Sequence, residues 1–237
     1  TRRRVDTVAA AVEEVEAMMT TVSENCASMA RAVQDISEHM RGARMLGSRE
    51  ALHRLAIERI GGTGDAEADA AVRAGLYLEF GVKKGATLRA IAGMTDQVVH
   101  GFDSFQGLPE DWAGTSMRRG RFSTGGRLPA VPDNCRLYAG WFADSLPGFV
   151  AANPGPVAFM HVDCDLYSST CTVFEYLGER LVPGSVIVFD EYFNYPNWQE
   201  HEFRAFSEFV AGRRLRYEYL GFVGRGGSVA VRVTGIG

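Results

Sequence analysis

The stretch that decides the fold reads LYLEFGVKKGATLRAIA and occupies residues 76–92. It predicts an apolar strand that ends near Glu79, a glycine turn, and a helix. Glycine at positions 81 and 85 lets the backbone turn sharply and approach a ligand without interference from a Cβ atom. A turn of this kind after a first parallel strand is typical of a nucleotide-type pocket. The acid at position 79 favours a cationic or hydroxyl-rich ligand over a pyrophosphate.

Around this stretch, apolar strands alternate with helices, which predicts a mainly parallel sheet covered on both faces. The predicted strands lie at 76–80, 98–102, 135–139, 157–162, 185–189, 216–222 and 228–233, and the predicted helices at 48–60, 65–73, 86–93, 168–181 and 198–211. Only residues 223–227 separate the last two strands, so these should form an antiparallel hairpin. We expect an α/β, Rossmann-like sheet of seven mostly parallel strands with an antiparallel C-terminal hairpin. This shape is the one expected of a class I S-adenosylmethionine-dependent methyltransferase.

The first 40 residues carry a separate pattern, in which apolar side chains recur alternately three and four residues apart. They are Val5, Val8, Val12, Val15, Met19, Val22, Cys26, Met29, Val33, Ile36 and Met40. This is the seam of a coiled coil, and it predicts a long helix that pairs with another copy of the chain. A long helix packed on its own domain is the alternative.

Composition excludes several classes of protein. The 237 residues carry a net charge of −4, which argues against a nucleic-acid-binding surface. The four cysteines form no CxxC pair, so neither a zinc site nor a disulfide framework is indicated. No apolar run is long enough to span a membrane and no signal peptide is recognisable, so we expect a cytoplasmic protein. The sequence begins with Thr1 rather than Met, which leaves open what precedes it.

A second strand ends in Asp103, about 20 residues after the glycine turn, where an acid can accept hydrogen bonds from ribose hydroxyls. The dinucleotide-binding fingerprint GxGxxG is absent after the first strand, where the glycines are spaced G-x-x-x-G. We therefore predict an S-adenosylmethionine site, in which Glu79 contacts the cationic methionine end. The predicted cofactor contacts are Glu79, Phe80, Gly81, Gly85, Thr87, Asp103, Ser104, Phe105, Gly140, Trp141, Asp144, Ser145 and Asp163.

Acidic residues also follow two buried strands. Asp163 and Asp165 come after one strand, and Asp190 and Glu191 after another. Parallel strands end at the same edge of a sheet, so these carboxylates should converge and raise one another's pKa values. A divalent cation would remove that repulsion, and oxygen ligands favour Mg²⁺, with Ca²⁺ or Mn²⁺ as alternatives.

Three further features carry alternatives. His161 is predicted to be a core histidine, whereas His201 is a candidate catalytic base. The long connection over residues 104–134 is rich in Gly, Pro and Arg, which is typical of a lid or of a solvated loop. Its arginines are candidates for binding an anionic substrate.

Four motifs together resemble the macrocin O-methyltransferase family over about residues 74–233. They are Glu79-Phe80-Gly81, GFDSFQGLP at 101–109, HVDCDLYSST at 161–170, and Asp190-Glu191-Tyr192. The resemblance implies S-adenosylmethionine-dependent methylation of a sugar hydroxyl in a natural product. It also implies that Asp163, Asp190 and Glu191 bind Mg²⁺ and that Asp163 serves as the catalytic base. The family's second acidic pair is two aspartates, whereas this chain has Asp190-Glu191.

On this interpretation the chain divides into an oligomerisation helix over 1–41, a helical linker over 42–74 and a methyltransferase domain over 75–237. The leading hypothesis is a Mg²⁺-assisted O-methyltransferase with a small-molecule acceptor and no nucleic-acid or membrane partner. One alternative is a coiled-coil assembly protein that binds ligand without turnover. The other is a metal-dependent oxidative tailoring enzyme, although an iron facial triad needs two histidines beside one carboxylate.

Overall fold

The computed structural model describes residues 2–237, with side chains from residue 11 onward. The strands are β1 Arg44–Met45, β2 Leu76–Phe80, β3 Val99–Asp103, β4 Cys135–Ala139, β5 Val157–Val162, β6 Leu181–Phe189, β7 Leu215–Val223 and β8 Ser228–Ile236. The helices are α1 Arg2–His39, α2 Arg49–Glu58, α3 Ala66–Arg73, α4 Ala86–Ala92, α5 Phe142–Ala152, α6 Tyr167–Leu177 and α7 Glu202–Arg213, with short 3₁₀ turns at Gly178–Arg180 and Trp198–Glu200.

One sheet contains all of these strands in the order β1-β7-β8-β6-β5-β2-β3-β4. Strand β8 runs antiparallel to both of its neighbours, β6 and β7, and every other pairing is parallel. The predicted antiparallel hairpin is confirmed. Because the chain leaves β2 towards β3 on one side and later returns to β5 on the other, a crevice forms at the carboxyl end of β2.

Each face of the sheet has its own hydrophobic core. Leu78 and Phe80 of β2 belong to the core that includes α5, α6 and α7, whereas Tyr77 belongs to the core that includes α2, α3 and α4. This alternation follows from the period of two residues in a strand. Burial on both faces explains why the central strands are continuous apolar runs rather than alternating ones.

The sequence missed two elements. Strand β1 has two residues and pairs in parallel with β7, so the sheet has eight strands rather than the predicted seven. A strand of this length carries no recognisable period of its own. Helix α5 was missed because it begins after a strand and contains Pro147, which is usually a helix breaker.

Helix α1 is held to the rest of the chain by its C-terminal part. Ser28, Ala32 and Met40 are buried, and the Ser28 hydroxyl donates a hydrogen bond to the Tyr195 carbonyl at 2.5 Å. A stripe of apolar side chains on this helix is exposed; it consists of Val12, Val15, Met18, Met19, Val22, Met29 and Val33. The side chains of Val5 and Val8, predicted to extend the seam, lie outside the described residues. Among the helices that the structure describes, none is both long and apolar enough to cross a membrane.

Candidate active site

A cavity of about 700 Å³ opens at the carboxyl ends of β2, β3, β5 and β6. Its wall brings together these residues that the sequence singled out: Gly81, Thr87, Asp103, Ser104, Gly140, Trp141, Asp163, Asp165, Asp190 and Glu191. Lys83, Lys84, Phe122 and Arg49 also line it, although none of them was a predicted site residue. The cavity lies at the reversal of strand order around β2, where open α/β sheets bind ligands.

Gly81 has no room for a side chain. Its φ is +99°, and a Cβ atom there would lie 1.7 Å from the carbonyl oxygen of Asp163. Its N–H donates to the Phe102 carbonyl at 2.9 Å. The glycine turn therefore brings the end of β2 against the end of β5, which places the turn beside the acidic residues.

Asp103 ends β3 and lies on the cavity wall. Its Oδ2 accepts a hydrogen bond from the backbone N–H of Lys83 at 2.6 Å, and its Oδ1 accepts one from Phe105 at 2.6 Å. Each carboxylate oxygen has a second lone pair, so the side chain still has capacity for a ligand's hydroxyl groups. Asp103 thus orders both loops that border the cavity.

Glu79 does not contact the cavity, contrary to the prediction. Its side chain is fully buried, and its Oε1 lies 3.2 Å from Nδ1 of His161. Glu79 shares the sheet face of Tyr77, towards α2, because side chains alternate along a strand. Burial, and then the charges of Asp103 and Asp190, raise the pKa of Glu79 well above its usual value. Burial lowers the pKa of His161 to about 4, so a neutral hydrogen bond is favoured over an ion pair.

Five other predicted cofactor contacts also lie off the cavity wall. Phe80 and Phe105 are buried in the two cores, and Gly85 is the residue from which α4 starts. Asp144 and Ser145 lie in the first turn of α5, where their N–H groups donate to the Trp141 carbonyl at 3.0 Å. These residues support the wall rather than form it. We predicted them as contacts because they neighbour the motif residues in sequence. In the structure, their positions in the strand and in the helices place them away from the cavity wall.

The carboxylates of Asp163, Asp165 and Glu191 converge, with one oxygen from each within 4.8 Å of the others. We call these three residues the acidic triad. The predicted metal ligands were Asp163, Asp190 and Glu191, so Asp165 takes the place of Asp190. Asp165 has a φ of +65°, and its N–H donates to buried Glu202 at 3.2 Å, which holds this turn against α7.

Asp190 is already occupied by other partners. The Arg49 guanidinium at the start of α2 forms an ion pair with its Oδ2, and the Ser228 hydroxyl donates to its Oδ1 at 3.0 Å. No pattern in the sequence indicated the contact with Arg49, because 141 residues separate the two side chains along the chain.

The acidic triad has the properties of a cation site. Burial is the largest cause that raises the pKa of each carboxyl, followed by the charge of Asp190, and the pKa of Asp165 rises to about 7. Oε2 of Glu191 is buried and has no hydrogen-bond partner among the described residues. Oxygen donors that repel one another and leave a buried atom unpaired are suited to a hard divalent cation such as Mg²⁺. The residues present therefore fit the predicted metal.

The two histidines differ from each other in their surroundings. His161 is a buried core residue, as predicted. Its ring packs edge-on against the ring of His53, with 4.6 Å between the two ring centroids. His201 was a candidate base, but it lies off the cavity wall. Its Nε2 lies 2.9 Å from the Ala113 carbonyl, and its ring packs against Trp112. The structure therefore gives His201 a role in holding the lid rather than a contact with the cavity.

Residues 104–134 form an ordered lid. Leu108 and Trp112 pack on Leu166 at the start of α6, and backbone hydrogen bonds join Leu108 to Arg121 and to Gly120 at 2.9 Å. This packing favours the lid interpretation over a solvated loop. The lid borders the cavity through Phe122 and through residues 107–109.

Comparison with known proteins finds a similar family model and a similar curated protein. A family model described as macrocin O-methyltransferase matches residues 126–215, which include the acidic triad. The predicted family resemblance is confirmed. A tetracenomycin-type rhamnosyl 4′-O-methyltransferase of Streptomyces olivaceus is 34% identical in an alignment of 141 positions, and the match covers 50% of this chain and 53% of that protein. The chain spans about half the length of this curated relative.

Solved structures show the same fold. The calicheamicin methyltransferase CalS11 superposes with a TM-score of 0.56 at 24% identity, over 77% of this chain and 76% of that one. The O-methyltransferase NovP superposes with a TM-score of 0.58 at 22% identity, over 78% of this chain and 79% of that one. An O-methyltransferase from Bacillus cereus, solved in complex with SAH, superposes with a TM-score of 0.50 at 18% identity, over 91% of this chain and 90% of that one. The fold is that of the class I O-methyltransferases.

Proposed function

We propose that this chain is an S-adenosylmethionine-dependent O-methyltransferase that acts on a hydroxyl group of a sugar or another polar natural product, with assistance from Mg²⁺. The observation that supports this most strongly is the acidic triad, which faces the same cavity as the glycine turn and Asp103. The name of the Streptomyces olivaceus relative specifies methylation of a rhamnosyl group, which supports a sugar acceptor.

The methyl donor would lie along the glycine turn. Asp103 would accept hydrogen bonds from the ribose hydroxyls with its free lone pairs, and Trp141 offers an aromatic surface to the adenine. Glu79 is buried and does not line the cavity. We assign that end to Lys83, whose side chain lines the cavity and would pair with the methionine carboxylate.

The acidic triad would serve the acceptor. Methyl transfer forms an oxygen–carbon bond and breaks the carbon–sulfur bond of the donor, so the acceptor hydroxyl must lose its proton. Asp163 is suited to accept that proton, because its carboxylate belongs to the acidic triad and lines the cavity in which the acceptor would lie. Asp163, Asp165 and Glu191 would hold Mg²⁺, which lowers the pKa of a bound hydroxyl group. The lid would keep water away from the donor.

The test combines binding with turnover. Calorimetry with S-adenosylhomocysteine should give a binding isotherm, and Asp103→Ala should weaken binding at least tenfold. Asp133→Ala should not, because Asp133 is exposed before the start of β4 and does not line the cavity. Methyl transfer to a panel of sugar acceptors, which includes both rhamnosides and nucleotide-linked sugars, should stop with chelator and return with Mg²⁺. Absence of S-adenosylhomocysteine binding would exclude the methyltransferase. Binding without methyl transfer to any acceptor would favour the non-catalytic alternative. Full activity in the presence of chelator would show that the reaction does not require the metal.

We further infer that α1 pairs with a second copy of the chain. The exposed stripe has the a/d spacing of a coiled-coil seam, and the acidic residues Glu13, Glu14 and Glu24 lie off that seam. Those acids would repel an anionic membrane surface, so a partner helix is the better occupant. Pairing is compatible with catalysis, because the stripe lies apart from the cavity wall.

A further inference from the structure

A second cavity, of about 740 Å³, lies beside the first and shares Lys83, Lys84 and Phe122 with it. Five cationic side chains line this second cavity: Lys83, Lys84, Arg89, Arg121 and Arg127. No Asp or Glu among the described residues lines it. Such a concentration of positive charge is notable in a chain whose net charge is −4.

None of these five cations has a carboxylate within 4.0 Å among the described side chains. Some of the other arginines in the described chain have such partners, namely Arg49, Arg54, Arg118, Arg204, Arg213 and Arg232, and others do not. What sets the second cavity apart is that five cations without a carboxylate partner line one cavity. Like charges around one cavity repel each other, and an anion bound between them would remove that repulsion.

Four of the five cations are held in position. Nη1 of Arg89 donates to the carbonyls of Lys84 and Ala130, both at 3.1 Å, and Nε of Arg127 donates to the Thr124 carbonyl at 3.2 Å. The other two lie over the Phe122 ring: Nζ of Lys83 is 4.2 Å from the ring centroid, and the guanidinium carbon of Arg121 is 5.4 Å from it.

Each anchored guanidinium keeps further N–H groups free for a ligand. Because the side chains are already ordered, binding an anion loses less conformational entropy.

The number of charges indicates the kind of anion. One carboxylate, at the methionine end of the methyl donor, would engage Lys83 alone. Four cations of the second cavity then remain: Lys84, Arg89, Arg121 and Arg127. Arginine forks match the geometry of phosphate oxygens, and a diphosphate presents several such oxygens within reach of more than one side chain.

We propose that the second cavity binds the diphosphate group of a nucleotide-linked sugar, whose sugar extends into the first cavity towards the acidic triad. This rests on the proposed function and adds the substrate class: the acceptor is an activated sugar rather than a finished glycoside. The continuity of the two cavities at Lys84 and Phe122 provides the path between diphosphate and sugar.

The experiment is calorimetry on the full chain with three separate probes: uridine diphosphate, inorganic pyrophosphate and S-adenosylhomocysteine. The test variant is Arg121→Gln combined with Arg127→Gln. The matched control is Arg118→Gln combined with Arg119→Gln, which removes the same charge from the same lid but from residues off the cavity wall. Uridine diphosphate should bind the wild type. Its affinity for the test variant should be at least tenfold lower, and its affinity for the control variant should stay within twofold of the wild-type value.

Pyrophosphate should compete with uridine diphosphate, and S-adenosylhomocysteine affinity should stay within twofold in both variants. Normal S-adenosylhomocysteine binding with no uridine diphosphate binding would overturn this inference and leave the proposed function standing. An equal loss of uridine diphosphate affinity in the test and control variants would also overturn it, because the overall positive charge of the lid would then explain binding. A test variant that weakens S-adenosylhomocysteine instead would assign the cations to the methyl donor. Failure of S-adenosylhomocysteine to bind the wild type would count against the proposed function itself.

Discussion

Arg49 and Asp190 form an ion pair that ties the start of α2 to the end of β6. The Arg49 side chain is 57% exposed, whereas that of Asp190 is 3% exposed. The pair therefore supplies a positive charge, from a segment outside the family match, to the acid next to the acidic triad.

Removing this guanidinium should destabilise the fold. Arg49→Gln leaves a buried carboxylate without its charged partner, and we expect the free energy of unfolding to fall by about 1–3 kcal/mol. Urea denaturation measures the change. The control, Arg54→Gln on the same helix, breaks an exposed pair with Glu50 and should change stability by less than about 1 kcal/mol. Equal effects in the two variants would mean that the ion pair contributes nothing beyond a surface contact.

The acidic triad should bind Mg²⁺ without any substrate. We expect Mg²⁺ to raise the melting temperature of the wild type, because a cation that binds only the folded state stabilises it by mass action. Asp165→Asn and Glu191→Gln should each remove most of that shift, as measured by thermal melting with and without Mg²⁺. Exposed Glu110, which lies in the lid, provides the control Glu110→Gln. Retention of the full shift in Asp165→Asn would restore Asp190 as the third ligand.

His53 should make the protein sensitive to acid. Burial, and then the charge of His161, lower the pKa of His53 to about 3, whereas an unfolded histidine titrates near its ordinary value of 6.5. Between these values the unfolded chain binds a proton that the folded chain does not, so stability is lost as the pH falls below 6.5. The slope for one such group approaches about 1.4 kcal/mol per pH unit.

His53→Phe should therefore lose less stability than the wild type between pH 6 and pH 4. Phenylalanine preserves an aromatic ring against Phe159, and Nε2 of His53 has no hydrogen-bond partner to lose among the described residues. Denaturant titrations at several pH values give the comparison. His39→Gln changes an exposed histidine and should follow the wild-type curve. Parallel curves for wild type and His53→Phe would show that this residue does not carry the acid sensitivity.

Pairing through α1 should be detectable at Cys26. This residue is exposed and occupies a seam position of the heptad, so a parallel, in-register pair brings the two Cys26 side chains together. Mild oxidation should then produce a covalent dimer on a non-reducing gel. Cys26→Ser should abolish the dimer, whereas Cys171→Ser should retain it.

Light scattering should give a dimeric mass for the wild type and a monomeric mass for Val15→Glu combined with Val22→Glu. A monomeric wild type would leave the exposed stripe without a second copy. A dimer without the crosslink would favour antiparallel pairing.

The local signals in the sequence were sufficient for most of the architecture. The strand, glycine turn and helix around Gly81 are adjacent in the chain, and the hairpin of β7 and β8 follows from the length of its connection. The acids after β5 and β6 could be expected to converge because parallel strands end at one edge. Two features carried too little pattern to be recognised: the two-residue strand β1 and helix α5 with its internal proline.

What the sequence determined by itself was thus the order of elements, the edge of the sheet that holds the site and the acidic chemistry found there. These depend on periodicity and on residues near one another along the chain. Tertiary structure decided which side chains reach the cavity. Glu79 faces α2 because strand alternation places it on the opposite side from Phe80, and Asp190 is paired because α2 brings Arg49 across 141 residues. The basic second cavity also depends on distance in sequence, since the lid must fold back over α4 before Arg121 and Arg127 can join Lys84 and Arg89. Contacts of this kind leave no local trace, because either partner alone looks like an ordinary surface charge.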